Sequence, residues 1–152
     1  IGDGNNVAHS WMEAAVRFPF FLSLACPQGF EPRDEVWKAI RKEGKARISL
    51  TDDPREAIRG AQVVNTDVWA SMGQEDQAAE RIKFFKAYQV NQELLAAAQA
   101  EALFLHCLPA HRGEEVTEEV LEGPQSVVFD QAENKLYVHQ ALLEFILKGS
   151  MA

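Results

Sequence analysis

The chain has 152 residues, of which 47% are hydrophobic and 25% are charged, and its formal net charge is −8. This composition is typical of a globular protein with one sizeable core, and a single domain is expected. The acidic balance and the lack of a basic run argue against a nucleic-acid partner. The longest apolar run, FPFFLSLAC at residues 18–26, is too short to span a bilayer, so no membrane segment is expected.

The two cysteines, Cys26 and Cys107, lie far apart and form no CxxC pair. This usage suits a reducing compartment better than a disulfide scaffold, and it predicts a cytoplasmic protein. The chain opens with IGDGNN, which has no starting methionine and reaches a glycine turn almost at once. Because such a turn normally follows a complete strand, we expect the chain to be a piece of a longer protein.

Strand and helix patterns alternate along the chain. Short apolar runs that end at turn residues predict strands, and proline or a capping side chain before an amphipathic stretch predicts a helix. The predicted strands lie at residues 20–26, 46–51, 61–68, 102–107 and 125–131. The predicted helices lie after the opening turn, at residues 32–43, 53–60, 78–87 and 91–100, from residue 117, and at residues 132–147.

Alternating strands and helices predict an α/β fold, a Rossmann-like doubly wound parallel sheet with helices on both faces. In such folds, ligands bind beyond the carboxyl ends of the strands. Three segments follow strands and satisfy that rule: residues 2–6, 67–73 and 106–113. The strand before residues 2–6 is implied by the opening turn, and the other two strands are predicted above. These three segments are the candidate site segments.

The segment GDGNNVAHS, residues 2–10, is a glycine turn that opens a helix, and its backbone N–H groups can hold an anion. A dinucleotide site is the obvious proposal, but the fingerprint fails. Val7 stands where the third glycine should be, and the next strand ends in Cys26 and Pro27 without an acid for a ribose. The alternative is a plain strand-to-helix turn that Asn5 or Asn6 caps.

The segment DVWASMG, residues 67–73, leaves a strand with a carboxylate. Asp67 can pair with the ammonium group of a substrate, and Ser71 together with the backbone N–H of Met72 can hold a carboxylate. The alternative is a solvated loop in which Asp67 makes an Asx-turn.

The segment LFLHCLPAHRG, residues 103–113, leaves three possible roles for Cys107. A nucleophilic thiol needs a base, but His106 points to the opposite face of a regular strand, so only a break such as Pro109 could bring both to one pocket. A zinc site would combine Cys107 with His111, and with His106 as a further ligand, but it lacks a second ligand cluster. A buried structural thiol is the third possibility.

Four motifs occur together in order: DGNN with HS (residues 3–6, 9 and 10), DVWASMG, HCLP (residues 106–109) and AENKL (residues 132–136). Together they resemble the ornithine carbamoyltransferases of the aspartate/ornithine carbamoyltransferase family, over essentially the whole chain. The resemblance implies the C-terminal, ornithine-binding half of such an enzyme. The Ser-Thr-Arg-Thr and His-Pro-x-Gln motifs that hold carbamoyl phosphate are absent, so an N-terminal carbamoyl-phosphate domain is an implied partner, in a homotrimer at full length.

The resemblance also implies a reaction, the transfer of a carbamoyl group from carbamoyl phosphate to the side-chain amine of L-ornithine. The products are L-citrulline and phosphate, the pathway is arginine biosynthesis, and no metal or organic cofactor is needed. The SMG loop favours ornithine. The ornithine-binding residues would be Asn6, Asp67, Ser71, Met72 and Leu108, the catalytic residues Cys107 and His106, and the carbamoyl-phosphate-binding residues His106, Cys107, Leu108 and Lys135.

Within these implied roles, Cys107 orients and deprotonates the amine without a covalent intermediate, and His106 donates to the carbamoyl oxygen. Lys135 departs from the family, which usually has an arginine there to grip carbamoyl phosphate with a planar fork. Two alternatives stay open: a non-catalytic binding or structural module, and a carbamoyltransferase for another amine. We further expect a cis Leu108–Pro109 bond and a mobile lid at residues 67–77.

Overall fold

A computed structural model of the chain describes residues 1–44, 46–70 and 78–149. Its strands are β1 (Phe21–Ala25), β2 (Arg47–Thr51), β3 (Val63–Thr66) and β4 (Leu103–His106). They form two parallel pairs, β1 with β2 and β3 with β4, in which Leu24 lies opposite Leu50 and Thr66 opposite His106. The predicted parallel α/β architecture is therefore confirmed.

The helices connect the strands in the predicted order. They are α1 (Asn6–Arg17), α2 (Asp34–Glu43), α3 (Pro54–Ile58), α4 (Ala78–Phe85), α5 (Gln92–Leu95), α6 (Glu118–Leu121) and α7 (Val128–Lys148), with a 3-10 turn at Lys86–Tyr88. Their starts follow local capping chemistry: Asn5 caps α1, and Asp53 caps α3 directly before Pro54. Gly44 ends α2 in the left-handed conformation that glycine adopts without strain.

The first two residues connect the two strand pairs. The backbone nitrogen of Ile1 donates to the carbonyl of Asn65 in β3 at 2.8 Å, and Gly2 N donates to the carbonyl of Ala25 in β1 at 2.9 Å. The turn that follows packs tightly, because a Cβ on Gly4 would lie 2.3 Å from the backbone nitrogen of Pro32. The opening turn is thereby fixed beside the carboxyl ends of β1 and β3.

Helices cover both faces of the β1–β2 pair. Neighbouring residues of a strand point to opposite faces. Leu24 packs in a cluster with Met12 of α1 and Ile40 of α2, whereas Ala25 packs with Ala57 of α3. The larger core lies around β3 and β4, where Phe104 is fully buried among residues of α5, α6 and α7.

The predicted strand at residues 125–131 is wrong. Ser126 makes a single bridge to Phe104, and α7 already begins at Val128. The apolar run that suggested a strand instead places Val128 in the core as the first residue of a helix, so packing overrides the local β preference.

Helix α7 carries many exposed apolar side chains. Phe129, Leu136, Leu143 and Leu147 are 63%, 57%, 58% and 81% exposed. Surfaces of this kind commonly mark contacts with another domain or chain. Within the described ranges, no helix has both the length and the apolar character needed to cross a membrane.

Candidate functional site

The register of β3 and β4 brings two reactive side chains together. Thr66 lies opposite His106, so the next residues, Asp67 and Cys107, lie side by side where both strands end. The Cys107 thiol donates to Oδ1 of Asp67 at 3.1 Å. Two of the three predicted segments therefore meet at the carboxyl edge of the strands, as expected for a ligand site in this fold class.

The opening turn adds an amide to the same carboxylate. Asn5 accepts the backbone N–H of Val7 on its Oδ1 at 3.0 Å, which caps α1, and its Nδ2 donates to Oδ2 of Asp67 at 3.3 Å. One oxygen of Asp67 is thus held by the thiol and the other by the amide. A substrate ammonium that pairs with Asp67 would have to replace or share these contacts.

The Cys107 thiol is protonated at neutral pH. Partial burial, with the hydrogen bond to Asp67 and the negative charge of that carboxylate, raises the pKa of the thiol to about 11, although the charge of Lys135 acts in the opposite direction. A nucleophilic cysteine needs a lowered pKa because the thiolate is the reactive form. The site therefore does not support the nucleophile interpretation of Cys107.

Lys135 reaches the site from α7. Its ammonium group donates to the carbonyl oxygen of Cys107 at 2.5 Å. The lysine consequently lies close enough to the thiol for its charge to act on the pKa of Cys107, and its ammonium group is suited to an anionic substrate group.

The prediction that His106 and Cys107 share one pocket is wrong for this structure. The imidazole of His106 is fully buried, and its Nδ1 accepts the backbone N–H of Leu108 at 2.9 Å. Its Nε2 lies 3.2 Å from Oε1 of Glu115. His106 still belongs to the strand, where consecutive side chains alternate, and the chain breaks only after it. In this structure the ring therefore does not face the space beside Cys107.

The zinc interpretation is not supported either, because Cys107 faces Asp67 while His106 and His111 both face Glu115. Over the described parts of the chain, the group of potential ligands close enough to hold an ion is His111, Glu114 and Glu115, without the cysteine.

The predicted break in the chain occurs at Leu108. This residue has a φ of 56°, which lies in the left-handed region, and the Leu108–Pro109 bond is cis, so that prediction is confirmed. The left-handed turn carries the chain away from the direction of β4 directly after the thiol. The backbone carbonyl of Cys107 accepts Lys135 at this break.

Asn6 is exposed at the first position of α1, and its backbone carbonyl accepts the Ser10 hydroxyl at 3.0 Å. Its neighbour Asn5 is the amide that touches Asp67. The DGNN motif indicated two amides here, but the sequence alone could not tell which one faces the carboxylate. Ser71 and Met72 lie outside the described residues, as does most of the predicted lid at residues 67–77.

A buried arginine that the sequence analysis missed connects two of the site segments. Arg81 of α4 forms an ion pair with Asp3 and donates through Nε to the carbonyl of Trp69 at 2.5 Å. Its guanidinium also stacks over the rings of Phe30 and Phe85. Burial raises the pKa of the Asp3 carboxyl, and Arg81 opposes that shift. Asp3 belongs to a recognised motif, but nothing in the sequence pairs it with Arg81.

The structure defines a class of protein. It is a parallel α/β fold that carries an amide, a carboxylate and a thiol at the ends of its strands. The family model for the aspartate/ornithine carbamoyltransferase Asp/Orn binding domain matches residues 1–146. The chain belongs to this family.

The similar proteins belong to one branch of this family. The chain is 56% identical over 147 residues to the ornithine carbamoyltransferase of Desulfotalea psychrophila, covering 97% of this chain and 48% of the relative. The anabolic ornithine carbamoyltransferase of Pseudomonas aeruginosa is 55% identical over 148 residues, covering 97% and 47%. The crystal structure of the anabolic enzyme from Campylobacter jejuni has a TM-score of 0.92 at 38% identity, covering 98% and 50%. The chain thus spans about half the length of these relatives.

Proposed function

We propose that this chain is the ornithine-binding half of an ornithine carbamoyltransferase and that residues 1–152 form one ornithine-binding domain. The reaction transfers the carbamoyl group of carbamoyl phosphate to the side-chain amine of L-ornithine, giving L-citrulline and phosphate. The observation that carries the proposal is the contact of Asp67 with both Cys107 and Asn5 at the strand ends. The similarity to ornithine carbamoyltransferases supports it.

Asp67 is the anchor for the α-ammonium of ornithine in this proposal. The Asp67 carboxylate now accepts hydrogen bonds from neutral donors. A charged ammonium can replace one of these donors, because charge-assisted hydrogen bonds are stronger than neutral ones. Asn6, Ser71 and Met72 complete the α-amino-acid contacts by resemblance, with their donors directed to the α-carboxylate. The side-chain amine then lies towards Cys107 and Leu108.

The chemical step is a direct displacement. The neutral amine attacks the carbonyl carbon, a C–N bond forms, and the C–O bond to phosphate breaks, so that phosphate leaves and the amine loses a proton. In the free site the thiol of Cys107 is protonated, so it can orient the amine but cannot accept that proton. The proton that the amine loses leaves with the phosphate, so the thiol keeps its own. The step requires no metal or organic cofactor.

Within the described ranges of the chain, carbamoyl phosphate finds few partners near the site. Lys135 supplies one positive charge, and the carbonyls of Cys107 and Leu108 can accept from its amino group, but a phosphate needs several converging donors. We therefore propose that an N-terminal carbamoyl-phosphate domain completes the site. The exposed apolar side chains of α7 offer a surface that such a domain could cover.

The wider assignment follows the same branch of the family. We propose a homotrimer at full length and a cytoplasmic enzyme of arginine biosynthesis.

One observation favours a second candidate function, a non-catalytic amino-acid-binding module. Lys135 stands where the family usually has an arginine, and its ammonium group donates to the Cys107 carbonyl. A module of this kind would bind ornithine without turnover when joined to a carbamoyl-phosphate domain.

Amino-acid binding can be tested on the chain itself by NMR titration with L-ornithine, L-norvaline and putrescine. We expect the two amino acids to shift the signals of Asp67 and Cys107, with a Kd for ornithine no tighter than about 1 mM, which is about −4 kcal/mol. Putrescine should cause smaller shifts, since it lacks the α-carboxylate.

The matched variants are Asp67→Asn and Asp52→Asn. Asp52 also follows a strand directly, but it is exposed and uses its backbone carbonyl to accept the Tyr88 hydroxyl. Asp67→Asn should abolish the ornithine shifts, and Asp52→Asn should leave them unchanged. Shifts of equal size in both variants would refute Asp67 as the ammonium anchor.

A further inference from the structure

Two ionisable side chains next to the site are fully buried and have no part in the chemistry proposed above. They are His106, the last residue of β4, and Glu115, which precedes α6. Burying a carboxylate is costly unless hydrogen bonds and nearby positive or polar groups compensate for the lost water. A buried imidazole and a buried carboxylate in contact therefore call for a structural or functional reason.

The contacts of the two side chains form a connected path. The backbone N–H of Leu108 donates to Nδ1 of His106 at 2.9 Å. Nε2 of the ring lies 3.2 Å from Oε1 of Glu115, a hydrogen-bonding distance with poor alignment. The same Oε1 accepts the backbone N–H of His111 at 2.7 Å. The path therefore begins and ends on the backbone of one short loop, at Leu108 and at His111.

The direction of these contacts determines the tautomer of the ring. An Nδ1 that accepts a hydrogen bond carries no proton, so the neutral imidazole carries its proton on Nε2. That N–H lies beside the buried carboxylate, with Nε2 at 3.2 Å from Oε1 of Glu115. Nδ1 is thus occupied by Leu108 and Nε2 is buried against Glu115, so neither ring nitrogen faces the space beside Cys107.

The loop that the path holds needs external support. Leu108 has a φ of 56°, a conformation that residues other than glycine rarely adopt. Such residues persist where the surrounding contacts over-determine them, and they cluster at functional sites. Glu115 is itself well anchored, because its carbonyl accepts the backbone N–H of Val90 at 2.9 Å.

We propose that His106 and Glu115 are positioning residues, which hold the Cys107–Leu108 segment in its site geometry through the Nε2–H tautomer of His106 and touch no substrate. The inference rests on the proposed function, since Cys107 and Leu108 are the groups that face the amine of ornithine. The carboxylate fixes the ring, the ring fixes the N–H of Leu108, and the thiol and the carbonyl of Leu108 are thereby aimed into the site.

The tautomer can be measured on this chain without any activity, by long-range nitrogen-15 correlation NMR of the histidine rings at about pH 8. We expect His106 to show a single Nε2–H tautomer. Glu115→Gln should weaken that preference, because an amide can present a donor or an acceptor to Nε2. The matched control is Glu114→Gln, the neighbouring acid, whose backbone is engaged by His111 and Gln89. An Nδ1–H ring, or rapid averaging of tautomers in the unsubstituted chain, would overturn the proposal.

The catalytic consequence is measured in the full-length enzyme, with this chain joined to a carbamoyl-phosphate domain. Glu115→Gln should lower kcat by up to about 100-fold, because a small misplacement of an orienting group can cost that much, while KM for ornithine stays within about threefold. Glu114→Gln should leave both unchanged. An unchanged kcat in Glu115→Gln would refute the positioning role.

Two substitutions of the ring separate its two contacts. His106→Asn keeps an acceptor near the position of Nδ1, whereas His106→Gln keeps a polar group near the position of Nε2. His106→Asn should retain more kcat than His106→Gln, because the contact with Leu108 acts on the site directly, and the reverse order would contradict the proposed path. If the unsubstituted joined enzyme shows no turnover, the proposed function fails, and the tautomer measurement still decides the positioning claim.

Discussion

A cysteine directly follows each of strands β1 and β4, and a proline comes soon after it, yet the two thiols have different surroundings. Cys26, before Pro27, is buried in the cluster of α1, α2 and β1. Cys107, before Leu108 and Pro109, is half-buried and donates to Asp67. The pKa of each thiol is raised to about 11, with burial as the largest cause in both. The same local sequence thus produces one core residue and one site residue.

The difference comes from residues that are distant in sequence. Asp67 reaches Cys107 from the end of β3, and Lys135 reaches its carbonyl from α7. Cys26 has the charges of Asp3 and Glu31 nearby, but its thiol packs among aliphatic side chains. A cysteine at a strand end is therefore a functional candidate only where neighbouring elements supply polar partners. This contrast can be tested at several levels.

The two thiols should differ most in how fast a reagent in solution modifies them. In the folded chain, iodoacetamide should modify Cys107 at least about 100-fold faster than Cys26, because the reagent reaches a buried thiol only after local opening. The measurement is peptide mass spectrometry over a time course. Equal rates under native conditions would mean that the region around Cys26 opens as readily as the site.

Replacement by serine should separate them in stability. Cys26→Ser places a hydroxyl in an aliphatic core and should lower the free energy of unfolding by about 2 kcal/mol. Cys107→Ser keeps a donor for Asp67 at a half-buried position and should change it by less than about 0.5 kcal/mol. Urea denaturation of both variants measures these values, and a larger loss for Cys107→Ser would contradict the contrast.

Asp67→Asn should change the pKa of one thiol only. The carboxylate raises the pKa of Cys107 by accepting its hydrogen and by repelling the thiolate, so removing its charge should lower that pKa by about one pH unit. The pKa of Cys26 should not move. The pH dependence of alkylation gives both values, with Asp52→Asn as the control. A raised or unchanged pKa of Cys107 would show that the contact is unimportant for the thiol.

Lys135→Gln should have the smallest effect, with the opposite sign. The ammonium group favours the thiolate, so its loss should raise the pKa of Cys107, by about half a pH unit because the lysine is exposed to solvent. Lys135→Arg keeps the charge and serves as the matched control. A lower pKa in Lys135→Gln would indicate that the lysine does not lie beside the thiol.

Local signals predicted much of this molecule. The apolar runs, the asparagine and aspartate caps and the glycine stop predicted every paired strand and the start of α1, α2 and α3 to within two residues. The cis bond at Pro109 was also expected, from the resemblance and from the need for a break. The strand at residues 125–131 failed because a short run such as SVVF suits a strand and a buried helix start equally well.

The site was predicted less completely because its contacts are non-local. Glu115 is an acid in a polar stretch, and nothing in the sequence marks it as fully buried against His106. The expectation that His106 shares a pocket with Cys107 failed because consecutive side chains of a strand alternate between its faces. Asn5 was expected only as a helix cap, although its second amide atom binds Asp67. Pairings of this kind depend on the fold.

The most direct test of the account is citrulline formation from L-ornithine and carbamoyl phosphate. The assay compares this chain alone with the chain joined to the N-terminal half of the Desulfotalea psychrophila relative. We expect no turnover by the chain alone, turnover in the range of roughly 1–10³ s⁻¹ by the joined protein, and a loss of at least about 100-fold in its Asp67→Asn variant. Turnover in that range by the isolated chain, or full activity of the joined Asp67→Asn variant, would contradict the assignment of this chain as the ornithine-binding half.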